Sequence, residues 1–392
     1  SRINGILTGK VKGSRNKYAR LTTGDETDGS SAEGRGLSPR KSRGIELRAM
    51  HPEPWDVEIP VREEQQKAGA SGMNDWLKEA LDICNQSVPN FFAIIGYTLV
   101  KMVDTALIGH TGKDNLDVVS MCDFWTMCSD VFLTMKVLQT FAGQAQGKNC
   151  GVWTQIAMIN TAIMSIPVAI FWLLTRQVLL AFGRPEQVAE KAEYYASVLI
   201  LAFPPRNIAA AMTLFFTCQK ILYPARNAVI FMLFLQVIFG LYFVLNMGPL
   251  HALLGDQKWS GLGFTACPWI MVFAEWCQIF LLVGWYCGVK KLHAPCWGGF
   301  DRTEITAERM KQYFKKYFPA ALSLGSDFWR MAAVGAMAVW IGEDQAGIFY
   351  ANYRILLVCT GCSGAVTRSM VTNMNFHIGK GNVNRAKQSL HV

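Results

Sequence analysis

Pro89–Asn–Phe–Phe–Ala–Ile–Ile–Gly–Tyr–Thr–Leu–Val–Lys–Met–Val–Asp104–Thr–Ala–Leu–Ile–Gly109 is an almost wholly apolar run, about the length an α-helix needs to cross a bilayer. Asp104 lies deep inside it. A carboxylate held in hydrocarbon costs roughly 2.5–3.5 kcal/mol on insertion scales, so an acid kept there is a functional candidate by default. The segment therefore predicts both a membrane fold and a place for its chemistry.

Composition agrees. Of 392 residues, 51% are hydrophobic and 17% are charged, against about 25% charged in typical soluble chains. A net charge of +9 also suits a nucleic-acid binder. Here, however, the basic residues sit in a polar N-terminal tail and in short loops between apolar runs, which follows membrane topology rather than a groove-tracking patch. The six histidines are scattered and no His-Glu-x-x-His or nucleophile motif occurs. The pattern argues against a membrane-embedded enzyme, and no cofactor or metal is expected. Most of the eleven cysteines fall within apolar segments, so free thiols are expected rather than a disulfide framework. Cys359–Thr–Gly–Cys362 reads as small residues packed in a helix interface.

Residues 1–72 are rich in Ser, Gly and charges of both signs, the composition of a disordered tail. Apolar runs of bilayer length follow at about 81–109, 116–141, 153–175, 194–217, 227–249, 262–288, 316–342 and 346–373. Eight spans place both chain ends on one side. Outside the tail, the loops of that side hold thirteen basic residues and the opposite loops five. By the positive-inside rule the tail is cytoplasmic. The chain thus divides into a tail (1–72), six spans (73–289), a cytoplasmic connector (290–315) and a further pair of spans (316–392).

An internal repeat supports this division. Ile108–Gly109 runs to Gln146–Gly147–Lys148–Asn149, and Ile341–Gly342 runs to Ile378–Gly379–Lys380–Gly381–Asn382. Each block opens with a proline-bearing helix (Pro89, Pro319) that holds an acid part-way along (Asp104, Asp327). An even number of spans separates the blocks, so they run parallel, a known transporter architecture. The second block stops after two helices. Two readings stay open: a fragment, or a shortened protein that finds its missing helices elsewhere.

With these residues in hand, the chain resembles the multidrug and toxic compound extrusion (MATE) family of secondary transporters from about Asp82 to Lys387. The resemblance rests on Pro89 followed by Val103–Asp104–Thr105 and Gly109–His110–Thr111–Gly112, and on Gln144–Ala–Gln–Gly147. Gln219 with Pro224, Pro295–Cys–Trp297–Gly–Gly–Phe300, and Pro319 followed by Asp327–Phe–Trp329 complete it. It implies an all-α polytopic fold: two six-helix lobes related by a pseudo-twofold axis along the membrane normal. This chain would hold the N-lobe and the first two helices of the C-lobe. It also implies export of organic cations, xenobiotics or secondary metabolites in exchange for protons or Na+, from a plasma or organelle membrane.

The stretch Val237–Ile–Phe–Gly–Leu–Tyr242–Phe–Val–Leu–Asn246 in the fifth span carries no acid, where bacterial members of one branch place an Asn and an Asp. Proton coupling is therefore favoured over sodium. Exchange needs a group whose charge differs between two states, and Asp104 and Asp327 are the coupling candidates. Each has a basic neighbour three residues away, Lys101 and Arg330, so an internal ion pair is the competing reading. Asp123 and Asp130, seven apart, fall near one helical face. With Trp125, Gln144, Trp329 and Tyr353 they form the candidate substrate cavity, the aromatic rings being suited to stacking on an organic cation. Arg206, Glu275, Arg354 and Arg368 are expected at lobe interfaces or near headgroups. The arginines keep a second transport reading in play, a flippase for lipid-linked precursors.

Overall fold

The computed structural model describes residues 73–145, 147–248, 261–300, 302–341 and 343–391. All of them belong to one compact unit spanning Pro54–Val392. The predicted tail, Gln146, Gly342 and the end of the fifth span lie outside the described residues. Among those described there is no strand.

Helix α1 (Met73–Thr111) is 39 residues long and contains Pro89. Gly112, at φ 134°, is the single-residue link to α2 (Lys113–Asp130). At that φ an L side chain is strained, so glycine allows the tight reversal. The second predicted span is not one helix. It breaks at a 3-10 turn, Val131–Leu133, and at extended Thr134, then resumes as α3 (Lys136–Gln144). A break of this kind frees carbonyls inside the membrane, which must find partners within the protein.

Then follow α4 (Asn149–Leu173), α5 (Thr175–Ala181), α6 (Glu186–Ile200) and α7 (Phe203–Cys218). Helices α6 and α7 form the fourth span but meet at a 49° bend. Pro204 and Pro205 occupy the first turn of α7, where a missing N–H is tolerated but continuation of a preceding helix is not. Helix α8 (Tyr223–Leu245) ends at left-handed Asn246. Helix α9 (Ala266–Ile279) passes into a π-helical stretch, Phe280–Val289. The connector leads to α10 (Ala307–Ile341), α11 (Glu343–Gly379) and α12 (Val383–His391).

Among the described residues, five helical segments are long and apolar enough to cross a bilayer, and the bent pair α6–α7 makes up to six. These coincide with the first six predicted spans. Helices α10 and α11 have the length, but α10 carries Asp327 and Arg330 part-way along and α11 carries Arg354 and Arg368, which lowers their apolar character.

Two apolar clusters hold the helices together. One gathers Leu138, Phe141, Trp153, Ile156, Phe215, Phe216, Tyr313 and Tyr317 from α3, α4, α7 and the start of α10. The other gathers Ile108, Val118, Trp172, Tyr195, Leu199 and Met271 from α1, α2, α4, α6 and α9. The connector is seated on the first cluster. Gly151 donates its N–H to the Cys296 carbonyl at 3.1 Å, Gln155 donates to the Gly299 carbonyl at 2.8 Å, and Trp297 meets Phe215 edge-on.

Candidate functional site

Asp104 lies about four-fifths of the way along α1 and is 1% exposed. It does not pair with Lys101. Its Oδ2 accepts a hydrogen bond from the Tyr195 hydroxyl of α6 at 2.8 Å, and its Oδ1 accepts one from Gln236 Nε2 of α8 at 3.2 Å. Lys101 instead reaches Asp123 of α2 at 3.7 Å. Three residues apart, the two side chains lie within about 60° of each other around α1, but α2 offers Lys101 a separate acid while α6 and α8 offer Asp104 a hydroxyl and an amide.

The partners of Asp104 are thus neutral among the described residues. Gln236 lies one residue before the acid-free stretch that spoke against a first-lobe sodium site, and Tyr195 sits in a polar-looking segment. Neither stood out in the sequence. A lone Gln inside the 23-residue apolar helix α8 was the available signal, since a buried amide demands a partner. The Gln236 Oε1 is buried without a hydrogen-bond partner. A half-turn of the amide exchanges a donor for an acceptor at the carboxyl, and a tyrosine hydroxyl can likewise donate or accept. This pocket can therefore hydrogen-bond Asp104 in either protonation state, which a lysine partner cannot do.

A second ionic group lies nearby. Arg206, at the start of α7, is bound by Glu275 of α9 and approached by Asp130 at the end of α2. Arg206 and Glu275 were expected at lobe interfaces or near headgroups. They instead pair inside the bundle of α1 to α9, because each supplies the charge that makes the other's burial affordable. Arg368 does stand where α11 meets α3, its carbonyl accepting from Gln139 at 3.0 Å.

The other cavity candidates separate. Trp125 stacks on Phe171 of α4, with centroids 3.9 Å apart, and packs the bundle. Trp329 of α10 donates its indole N–H to the Cys128 carbonyl at 2.9 Å, and the Tyr317 hydroxyl donates to the Phe132 carbonyl. Both carbonyls belong to the break between α2 and α3, so α10 supplies the partners that the break requires. Gln144 donates to Asn375 of α11 at 3.0 Å and closes a helix corner rather than facing an open site. Tyr353 lies on α11, but its side chain is outside the described residues. Asp327 pairs loosely with Arg330 at 3.5 Å, its side chain 73% exposed. The repeat therefore relates Asp327 to Asp104 in position along the helix, but not in environment.

Helices α1 and α3 meet α11 along a polar seam. Gln86 donates to Asn373 and Asn90 to Ser369, each at 2.9 Å, and Gln139 donates to Thr372 at 2.7 Å. At the end of the seam Glu79 takes the Ser389 hydroxyl of α12 and lies 3.4 Å from His377. Beside it is a cavity of about 670 Å³ lined by Cys150, Cys218, Cys296, Gln219 and Lys380 among others. This cavity is remote from Asp104. All eleven cysteines are free. Cys359 and Cys362 are exposed; it is Gly361 that packs against Ile94, 3.6 Å from where its Cβ would be. The predicted small-residue contact thus exists, made by the glycine and not by the thiols.

The MatE family model matches residues 89–242, the segment from α1 to α8 that holds Asp104, Tyr195 and Gln236. The chain is 22% identical over 313 residues to Protein DETOXIFICATION 17 of Arabidopsis thaliana, covering 76% of this chain and 61% of that protein. It is 21% identical over 346 residues to Multidrug and toxin extrusion protein 1 of Rattus norvegicus, covering 86% and 58%. The crystal structure of the eukaryotic MATE transporter AtDTX14 superposes with a TM-score of 0.70 at 17% identity, covering 81% of this chain and 69% of that one. The chain spans about three fifths of the length of these curated relatives. The relatives are transport proteins, not enzymes. Its apolar helices and these similarities make this chain a multi-pass membrane protein with the fold of the multidrug and toxic compound extrusion (MATE) transporters, whose family model it matches over residues 89–242.

Proposed function

We propose that this chain serves a secondary antiporter that exports organic cations, xenobiotics or secondary metabolites in exchange for protons by alternating access. Helices α1 to α9 form its first lobe, α10 and α11 begin its second, and the N-terminal tail is cytoplasmic. The match to the MatE family model and the name of the rat relative support the substrate class.

One observation carries the coupling assignment. Asp104 is buried and held by two neutral side chains that can hydrogen-bond it charged or uncharged, while Lys101 is engaged elsewhere. A group of this kind can exist in both charge states without a fixed counter-ion opposing either. In the proposed cycle Asp104 takes a proton from the outer side, and loss of the negative charge weakens the hold on a cationic cargo. Deprotonation toward the cytoplasm restores it. Neutral neighbours also favour a proton over sodium, since no second acid lies within hydrogen-bonding distance of Asp104 among the described residues.

The test is Asp104→Asn, which keeps the shape and removes the titration. Efflux of a cationic dye driven by a pH gradient in membrane vesicles should fall to the level of vesicles lacking the protein, with the variant inserted at normal amounts. Full gradient-driven efflux by the variant sinks the assignment.

A further inference from the structure

Arg206 has two carboxylates in reach and holds them unequally. Glu275 takes the guanidinium in a two-pronged grip, with Nη2 donating to Oε1 at 2.7 Å and Nε donating at 3.2 and 3.3 Å to Oε1 and Oε2. Asp130 lies 3.6 Å from Nη1, and its Oδ1 accepts no hydrogen bond although that atom is enclosed. Access differs as well: the Glu275 side chain is 3% exposed and that of Asp130 is 39%.

Two carboxylates against one guanidinium leave one negative charge in excess. The nearest other base, Lys101, is taken by Asp123. Tyr97 of α1 lies within electrostatic range of Arg206, Glu275 and Asp130 and is 41% exposed. Its ring offers an accessible aromatic surface in the same neighbourhood, the kind of group that favours a cation.

We infer that Glu275 is a positioning residue that retains Arg206 and so keeps Asp130 available to bind the organic cation, an inference that rests on the export reading above. Arg206 is a built-in competitor for Asp130. While Glu275 is ionised, the bidentate grip is the better of the two contacts, because paired N–H donors match a carboxylate's geometry. Without that partner a buried guanidinium is left uncompensated, which is strongly unfavourable, and Asp130 is the acid it can turn to. The local charge then falls from minus one to zero, and the site loses its attraction for a cation.

Cation binding should follow the local charge. With purified full chain in detergent and tetraphenylphosphonium as the probe, Asp130→Asn and Glu275→Gln should each weaken the dissociation constant about tenfold. The double variant Glu275→Gln with Arg206→Met restores the minus-one balance and should bind within about threefold of the unmodified protein. A purely structural role for Glu275 would not be rescued by losing Arg206 as well. Unchanged binding in Asp130→Asn or in Glu275→Gln overturns the inference, as does a double variant no better than Glu275→Gln. If the unmodified protein itself binds no tetraphenylphosphonium, the export reading fails and the inference falls with it; binding without the rescue overturns the inference alone.

Discussion

The carboxylate of Asp104 is held by a hydroxyl and an amide that belong to two other helices. Hydrogen bonds to a charged group contribute about 1.5–3 kcal/mol in a protein, and stranding a buried acceptor costs a similar amount. Gln236→Leu should therefore lower stability by about 1–3 kcal/mol, measured by thermal unfolding in detergent. In an Asp104→Leu background the same change should cost much less, because the group it served is gone. A cycle of the four proteins should give a coupling energy above about 0.5 kcal/mol, and strict additivity would mean the bond carries nothing. At this scale the sequence was half legible. Asp104 stood out because an acid in an apolar helix is expensive, whereas Gln236 and Tyr195 stood out on no ground of period or motif. Their role depends on which helices become neighbours, and that is a tertiary fact. The i, i+3 ion pair that stood as the competing reading for Asp104 is absent for the same reason, since Asp123 of the adjacent helix takes Lys101.

Among the elements, the break between α2 and α3 and the seam along α11 define how the parts engage. The break exposes the Cys128 and Phe132 carbonyls, and α10 answers with Trp329 and Tyr317. No proline or glycine marks the break, so the sequence read a continuous span at 116–141. The bend between α6 and α7 is different, because Pro204 and Pro205 announce it. The polar seam was hidden in scattered amides, although Gln86 and Asn90 are four residues apart and share a face of α1. Its tightest approach is at Gly379, where an added Cβ would lie 2.7 Å from the Gln144 carbonyl oxygen, a backbone atom that cannot swing aside. Gly379→Ala should thus force α3 and α11 apart at a cost of about 1–3 kcal/mol. The expected signs are a lower unfolding midpoint in detergent and faster maleimide labelling of the Cys150, Cys218 and Cys296 cavity. Gly109→Ala is the control, since a Cβ there meets nothing within 4 Å, and it should produce neither effect.

At the scale of the molecule, the six apolar spans from α1 to α9 and the repeated proline-and-acid helix were readable from bilayer length and spacing. The ordered motifs together pointed to the family whose model matches residues 89–242 and to which the similar proteins also point. The charge layout inside the bundle was not readable. Lys101 pairs with Asp123 across the turn between α1 and α2, and Arg206 meets Glu275 and Asp130 from helices far apart in the chain. They matter because they occupy the cations that would otherwise fix Asp104 in its ionised form, and because they leave the bundle interior negative. In the proposed cycle, proton and cationic cargo exclude one another at Asp104. This exclusion is tested most directly by measuring proton release when tetraphenylphosphonium is added to the purified chain in weakly buffered detergent near neutral pH. The unmodified protein should release protons on binding, and Asp104→Asn should bind without that release. Equal proton release by the two proteins would contradict the exclusion.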